Sequence, residues 1–370
     1  MDFAEAFTSA TAKLSLMLPF KFTQKACVFE TGDSMYTVMW ETNLKANGYV
    51  TYTYNSKQYT VYDQVCGNIR THETIHSVRI PKEHLDNNTY RFHSQFVGMK
   101  YGYDAIKGKT LSSSLVYFKG YHNQDEINVY TLSDIHGNLA EALDSIKNID
   151  VPADIIVLNG DISSTIVFKK DFTKKILGYA YELSNGEIPV VYTRGNHETR
   201  GEYASCVAQN FRINGTGMYF TFNYGPLWAA VLDSGEDKPD DHKEYNGLVD
   251  FETYLREQTD WLSSLSSDIG KGSDFRLAFS HMPDIDDRHG SNWAKELERL
   301  GVQALFSGHT HTLDLRSKFN EEYPFYTVIE GGRNGKLGYV ASVATLCKNK
   351  SMCVKAYNAS GKLEEEYFEL

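Results

Sequence analysis

The chain is short of cysteine, of positive charge and of long apolar runs. Its five Cys (Cys27, Cys66, Cys206, Cys347, Cys353) are odd in number and widely scattered, which argues against a disulfide framework. Only Cys347 and Cys353 lie near each other, at a spacing that matches no common zinc pattern. Reduced thiols in a cytosol are the simplest account, and a cytoplasmic location is the expectation. Lys plus Arg number 37 against 48 Asp plus Glu, a formal net charge of −11. With no Lys/Arg run, that balance disfavours a sequence-independent grip on long nucleic acid. No apolar run approaches the roughly 18 to 20 residues needed to cross a bilayer, so no membrane partner is expected. The best N-terminal candidate, Leu14 to Phe20, is short. Asp2 and Glu5 precede it, where a secretory signal would be basic. Residues 1–20 therefore read as a lead-in. Three Asn-x-Ser/Thr sequons, at Asn87, Asn214 and Asn358, arise easily by chance.

What is present is ordinary globular material. Hydrophobic residues make up 41% and charged residues 23%, far from the balance of a disordered chain. At about 150 residues per domain, the 370 residues give two or three domains. Aromatics reach 13%, with 25 Tyr and 20 Phe, ample for β-rich cores.

Two rhythms divide the chain. Residues 21–122 have a β texture. Tyr36 to Trp40, Tyr49 to Tyr54, Gln58 to Val65, Thr74 to Ile80 and Tyr90 to Val97 read as strands, separated by turn signals at Thr31-Gly32-Asp33, Asn47-Gly48 and Asp86-Asn87-Asn88. Short strands about ten residues apart predict a small antiparallel sandwich with Trp40 as a core anchor. The polar stretch Lys119 to Glu126 is the expected boundary, and residues 123–370 form the second unit. There the rhythm is strand, loop, helix. Val129 to Leu132, Ile155 to Leu158, Pro189 to Thr193, Ala229 to Leu232, Leu277 to Phe279 and Ala304 to Phe306 are short apolar strands. Leu139, Leu143, Ile146 and Ile149 recur at helical spacing, as do Phe168, Phe172, Ile176, Ala180 and Leu183, with a stop near Asn185-Gly186. Alternation of this kind predicts an α/β or α+β layered domain. No internal repeat is visible.

Five polar clusters follow those strands: Ser133-Asp134-Ile135-His136-Gly137-Asn138, Asn159-Gly160-Asp161, Arg194-Gly195-Asn196-His197-Glu198, Ser280-His281-Met282-Pro283 and Ser307-Gly308-His309-Thr310-His311. They hold five of the 12 His. Imidazole and carboxylate are the usual ligands of divalent transition metals. In Asp134-x-His136 and His309-x-His311 the donors are two residues apart, so at a strand end both can point to one side. Glycines 137, 160, 195 and 308 allow tight turns that bring side chains close. Asp161 is the natural carboxylate to bridge two ions, and Asn196 offers a carbonyl oxygen without adding charge. Each cluster alone is weak, and a lone His after a strand is more often structural. All five together, in this order, are not a chance assembly.

The set Asp134-Ile135-His136, Gly160-Asp161, Gly195-Asn196-His197-Glu198, His281 and Gly308-His309-Thr310-His311 resembles the calcineurin-like metallophosphoesterase superfamily over roughly residues 127 to 345. The resemblance implies a four-layer α/β/β/α sandwich with a dinuclear metal site at the strand ends. It implies one metal held by Asp134, His136, Asp161 and His311, and the other by Asp161, Asn196, His281 and His309. It implies His197 as a phosphate contact and proton donor. A narrower resemblance is to the purple acid phosphatases, which also carry an N-terminal fibronectin-like β domain. Asn-His-Glu and the segment Asp233-Ser234-Gly235, Tyr245-Asn246-Gly247, Gln258 and Trp261-Leu262 are similar to theirs. Two positions depart. This chain has His136 where they have Gly, and Ser164 where they have the metal-binding Tyr, so the ferric tyrosinate is not expected.

The chemistry expected from the resemblance is hydrolysis of phosphoric esters, mono- or diesters, by metal-activated water with two divalent ions (Mn, Fe or Zn). No nucleophilic Ser or Cys motif and no P-loop points to a covalent route. Asp161, His197 and Glu198 are the expected catalytic residues. His197 is the proton donor to the leaving group, and Glu198 either orients a neighbouring His or merely places charge at a helix start. The expected partner is a small phosphorylated substrate; oligomeric state is left open. Asp284, Asp286, Asp287, Arg288 and His289 read as a solvated loop or a substrate mouth, Asp237 to His242 as a surface loop or lid, and Arg333 as a turn residue or a substrate contact. The rival reading is a non-catalytic metal-binding scaffold or interaction protein on the same fold, which would be expected to have lost some ligand positions.

Overall fold

The architecture is taken from a computed structural model that describes residues 10–14, 16–102, 104–213, 217–286, 292–315 and 323–368. The N-terminal region is all β. Its strands are β1 (Phe22–Glu30), β2 (Met35–Tyr54), β3 (Lys57–Tyr62), β4 (Glu73–Pro81), β5 (Asn88–Tyr101), β6 (Asp104–Ser112) and β7 (Val116–Phe118). The 20-residue β2 serves two layers. Its first part pairs antiparallel with β1 and β4, and its second with β3 and β5. A break in register between Glu41 and Ala46 lets it pass from one layer to the other. Ala26, Val28, Tyr36, Val38, Val78 and Ile80 from the first layer pack into one core with Val50, Tyr52, Tyr90, Phe92 and Phe118 from the second. Trp40 is fully buried there, its indole N–H donating to Ser94 Oγ at 2.9 Å. The turn expected at Asn47-Gly48 is absent, because β2 runs through it. Gly48 answers a different need: a Cβ there would lie 2.7 Å from the His76 ring, so glycine lets the neighbouring strand's side chain pack on the backbone.

The rest of the chain alternates strands and helices: β8 (Glu126–Leu132), α1 (Leu139–Lys147), β9 (Ile155–Asn159), α2 (Gly178–Ser184), β10 (Val190–Thr193), β11 (Phe220–Tyr224), β12 (Leu227–Leu232), α3 (Phe251–Ser264), β13 (Phe275–Ser280), α4 (Trp293–Arg299), β14 (Ala304–Ser307), β15 (Leu313–Asp314), β16 (Tyr326–Glu330), β17 (Gly332–Asn334), β18 (Gly338–Cys347), β19 (Met352–Asn358) and β20 (Leu363–Phe368). One sheet holds β8, β9 and β10 in parallel, extended antiparallel by β18, β19 and β20. The other holds β12, β13, β14 and β16 in parallel. β1 joins the first sheet through a parallel pairing of Phe29 with Val190, so the all-β region is hydrogen-bonded into it.

Burial on both faces explains the continuous apolar strands. In β12, Ala229 and Val231 face the other sheet, sharing one core with its Val129 and Val157 and with Leu277 and Phe306 of their own sheet. Trp228, Ala230 and Leu232 pack instead with Leu255 and Leu262 of α3 and Trp293 and Leu297 of α4. On the far side, Ala142, Phe172, Ile176 and Ala180 cover Tyr130, Leu132, Ile156 and Leu158. The layer order is therefore helix, sheet, sheet, helix, preceded by the all-β region. The helical stripe at 172–183 begins as a π-helical turn, Phe172–Leu177, and stops at Asn185, which takes φ 52°. Among the described residues no helix is long and apolar enough to cross a membrane, and all five Cys are free.

Candidate metal centre

All five polar clusters lie just beyond the carboxyl ends of parallel strands, where open α/β sheets place ligands. Asp134 and His136 follow β8, Asp161 follows β9, Asn196 and His197 follow β10, His281 follows β13, and His309 and His311 follow β14. Asp134, His136, Asp161, His309 and His311 have φ between 48° and 66°. Left-handed backbone is uncommon for residues other than Gly, although Asp and His tolerate it best. It turns each of these side chains out of its strand's direction. Loop-to-loop hydrogen bonds hold the conformation: Asp134 N–H to Gly160 O (3.0 Å), His136 N–H to Asp161 O (2.8 Å) and Gly308 N–H to His281 O (2.9 Å).

The side chains converge in three overlapping groups whose ligand atoms lie within 4.8 Å of one another: Asp134, His136 and His311; His136, Asp161 and His197; and Asp161, His281 and His309. Asp161 Oδ2 is 3.2 Å from His281 Nε2 and 3.8 Å from both His136 Nε2 and His197 Nε2. Asp134 Oδ1 is 3.3 Å from His311 Nε2. The ring orientations are fixed from behind: His281 Nδ1 donates to Asn159 O (2.8 Å) and His311 Nδ1 to Arg333 O (2.9 Å), which turns each Nε2 inward. Four glycines leave no room for a side chain around these groups. A Cβ would lie 2.4 Å from the His281 ring at Gly160, 2.2 Å from Asp161 Oδ1 at Gly195, 2.6 Å from Asp134 Oδ2 at Gly308 and 2.8 Å from it at Gly332.

The donor set fits divalent cations. Asp134 Oδ1, Asn196 Oδ1 and His281 Nε2 are buried and make no hydrogen bond of good geometry, a costly arrangement unless something else satisfies them. Burial raises the carboxyls of Asp134 and Asp161. The imidazoles outweigh it, chiefly His311 and His281 for Asp134, and His281 and His197 for Asp161, and both acids are held below their usual range. Conversely, burial lowers His281, but Asp161 and Asp134 push it up to about 10. Ionised carboxylates thus draw a positive charge inward, where a cation serves as well as a proton.

Glu198 stands behind the centre. It is fully buried, and its carboxylate accepts the backbone N–H groups of Asp161 (2.9 Å), Ser163 (2.6 Å) and Gly195 (2.8 Å). It hydrogen-bonds no imidazole among the described residues, so it ties two loops together and does not orient a His. His197 is one-third exposed. Its Nδ1 donates to Ser164 O (3.1 Å) and its Nε2 accepts from Arg200 Nη1 (3.2 Å). Ser164 therefore reaches the centre through its carbonyl oxygen. The sequence reading missed Arg200 and Glu236. Arg200 lies three residues after His197, just past the 3-10 turn Asn196–Thr199, and that spacing was the available signal. Arg333 contributes a carbonyl oxygen from the β17–β18 hairpin. Asp286 accepts the Ala294 N–H at 2.9 Å; Asp287, Arg288 and His289, like Asn214, lie outside the described residues.

The family model for calcineurin-like phosphoesterases matches residues 127–313. The solved structure of PhoD aligns with a TM-score of 0.52 at 10% identity, covering 95% of this chain and 90% of PhoD, a likeness of fold. A cold-active protein-tyrosine phosphatase of a psychrophilic Shewanella species (TM-score 0.31, 11% identity, 95% of this chain and 100% of that one) aligns more loosely. So does a protein serine/threonine phosphatase from Saccharomyces cerevisiae (0.32, 11%, 64% and 81%). No curated protein sequence matches. The matched span encloses Asn196 and every converging Asp and His and points to metal-using hydrolysis of phosphoric esters in general: the chain belongs to the calcineurin-like phosphoesterase family.

Proposed function

We propose that the protein hydrolyses small phosphoric esters, mono- or diesters, by direct attack of water at a dinuclear centre of divalent transition-metal ions (Mn, Fe or Zn). The observation that carries this reading is the pair of buried, unpartnered ligand atoms on Asp134 and His281 inside three overlapping carboxylate–imidazole groups, with a third such atom on Asn196, the residue before His197 of those groups. In it Asp134, His136, Asp161 and His311 hold one ion, and Asp161, Asn196, His281 and His309 the other. Ions bound there supply Lewis acidity toward a phosphoryl group and toward water. The chain's residues do the remainder. Asp161 is shared between the two groups. The Asn159 and Arg333 carbonyls set the His281 and His311 tautomers. His197, positioned by Ser164 O, faces the substrate and delivers a proton to the leaving alkoxide. Residues 123–370 form the catalytic unit and 21–122 a fibronectin-like β domain beside it. The net charge of −11 favours small phosphorylated substrates over long nucleic acid.

The test combines elemental analysis with turnover of aryl monoesters and diesters. Two ions per chain are expected, with activity lost on chelation and restored by metal. At a free metal concentration about 1,000-fold above Kd, the loaded protein should gain about 4 kcal/mol for each ion over the stripped one. A loaded protein that turns over neither ester class is the scaffold of the rival reading.

A further inference from the structure

We infer that Arg200 is a substrate-binding residue that grips a phosphoryl oxygen and biases the site toward phosphomonoesters, an inference that rests on the hydrolytic reading above. Its guanidinium is built into the rim of the centre. Nε and Nη2 form a fork with Glu236, at 2.8 Å to Oε1 and 3.0 Å to Oε2. Glu236 is buried and braced by Thr199 Oγ1 (2.8 Å) and Tyr245 OH (3.2 Å). A structural ion pair needs no more than that fork. Yet Nη1 extends past it to His197 Nε2, at 3.2 Å, and the same Nε2 faces Asp161 Oδ2 at 3.8 Å. Arg200 is about one-third exposed on its side chain, as is His197, so both are open to an incoming ligand. Among the described residues, no other Lys or Arg side chain hydrogen-bonds a member of the constellation.

The chemistry follows from the donors. In the resting site Arg200 occupies the imidazole nitrogen that the reaction needs. A phosphoryl oxygen is a stronger acceptor for a guanidinium than a neutral imidazole is, because it is charged. When an oxygen takes the Nη1 hydrogen bond, Nε2 of His197 is freed to face the leaving group. While it accepts from Arg200, Nε2 carries no proton; once freed it takes one from solvent and can then pass it to the leaving group, so binding of the anion frees the nitrogen that carries the proton. A monoester dianion has three non-bridging oxygens and two charges; a diester has two and one. A pinned cation at the rim, beyond the metal ligands, therefore rewards the monoester's extra oxygen and charge. Glu236 immediately precedes Asp237 to His242, the segment that the sequence offers as a surface loop or lid, so the chain leading into that loop aims the guanidinium.

The experiment compares Arg200→Gln and Arg200→Lys with the wild type, all metal-loaded, on an aryl monoester and a diester with the same leaving group. Inorganic phosphate is the competing anion. A charge-assisted hydrogen bond lost from substrate recognition predicts a roughly 10- to 150-fold fall in kcat/KM for the monoester. The inhibition constant for phosphate should rise in proportion, the diester rate should change less than about threefold, and the metal content should stay unchanged. Arg200→Lys, which keeps the charge and can keep the Glu236 pair, should recover part of the loss; it also carries the test if Arg200→Gln does not fold. Equal losses on both esters, unchanged phosphate inhibition, or a wild type that turns over diesters alone would overturn the role of Arg200 while leaving hydrolysis standing. A wild type inactive on both esters would instead sink the hydrolytic reading itself.

Discussion

Gly160→Ala tests whether the centre depends on space that only glycine leaves. Gly160 has φ +86°, and an added Cβ would sit 2.4 to 2.6 Å from Cγ, Nδ1 and Cβ of His281. His281 is wholly buried, and its Nδ1 is tied to Asn159 O, so the ring cannot yield without losing that bond. Two costs add. An L-residue in the left-handed region costs about 1 to 2 kcal/mol, and overpacking a close-packed site costs about 1 to 3 kcal/mol more. Gly67→Ala is the matched control: φ there is +81°, with nothing within 4 Å of the added Cβ, so it carries the backbone cost alone. Urea denaturation of both variants, stripped of metal, should therefore separate them by about 1 to 3 kcal/mol. Elemental analysis of the loaded proteins should find the ion served by His281 missing or weakened in Gly160→Ala and both ions present in Gly67→Ala. Equal stabilities with full metal content in both variants would show that His281 relaxes freely, and the argument from the glycine cradle would be wrong.

Two further outcomes follow from particular side chains. His197→Asn should keep its metals and lower kcat by about 10² to 10⁴, with a larger loss for alkyl than for aryl leaving groups because low-pKa aryl oxides need little protonation; equal losses across leaving groups, or loss of metal, would refute proton donation. His76 is fully buried against Thr42 Oγ1, and burial holds its pKa down at about 3. Since the unfolded chain binds its proton near pH 6.5, stability present above that value is lost as pH falls toward 3, by about 2 kcal/mol at pH 5. His76→Gln should lose correspondingly less between pH 7 and pH 5 in urea titrations, and an unchanged slope would contradict the assignment.

How legible the molecule was depends on where the information lies. The strands from β8 onward were legible because burial on both faces writes them as unbroken apolar runs, as in Ile155 to Leu158. The helical stripe was legible from Phe172 to Leu183 because that face must cover β8 and β9, whereas Phe168, expected as its first member, is exposed on the extended residue before the helix. The converging residues were legible because each motif must stand directly after its strand. Asn47-Gly48 misled because glycine serves both turns and close approaches, and only the fold brings His76 onto the backbone. Glu198 was half legible: the charge expected at a helix start is there, since it accepts the Gly195 N–H, but its other partners are backbone N–H groups of the turn at 160–163, and backbone donors leave no mark in side-chain identity. The Arg200–Glu236 pair spans 36 residues, and a single sequence carries no trace of that contact. Likewise β1 gave no sign that it would pair with β10 at Phe29 and Val190.

The glycines at 160 and 195 sharpen the point that one residue type answers two physical demands. Gly160 combines a left-handed φ with a lack of room, whereas Gly195 has ordinary extended backbone, φ −91° and ψ 170°, and is needed only because Asp161 lies where its side chain would be. The ligands themselves show the opposite economy. Asp134, His136, Asp161, His309 and His311 accept the left-handed conformation that glycine would adopt freely, because their side chains are what the site requires. Such strain persists only where the surroundings over-determine it. Here those surroundings are the cross-loop hydrogen bonds, the three N–H groups gathered by Glu198 and, in the reading proposed above, the ions that these side chains hold. It follows that metal and fold are coupled at these loops. Stripping the ions should loosen the turns at 134–137, 160–163 and 308–311 before it disturbs the sheets beneath them. Amide exchange in loaded and stripped protein would reveal this as faster exchange confined to those turns. Uniform acceleration across β8, β9 and β10 would mean instead that the metals support the whole sandwich.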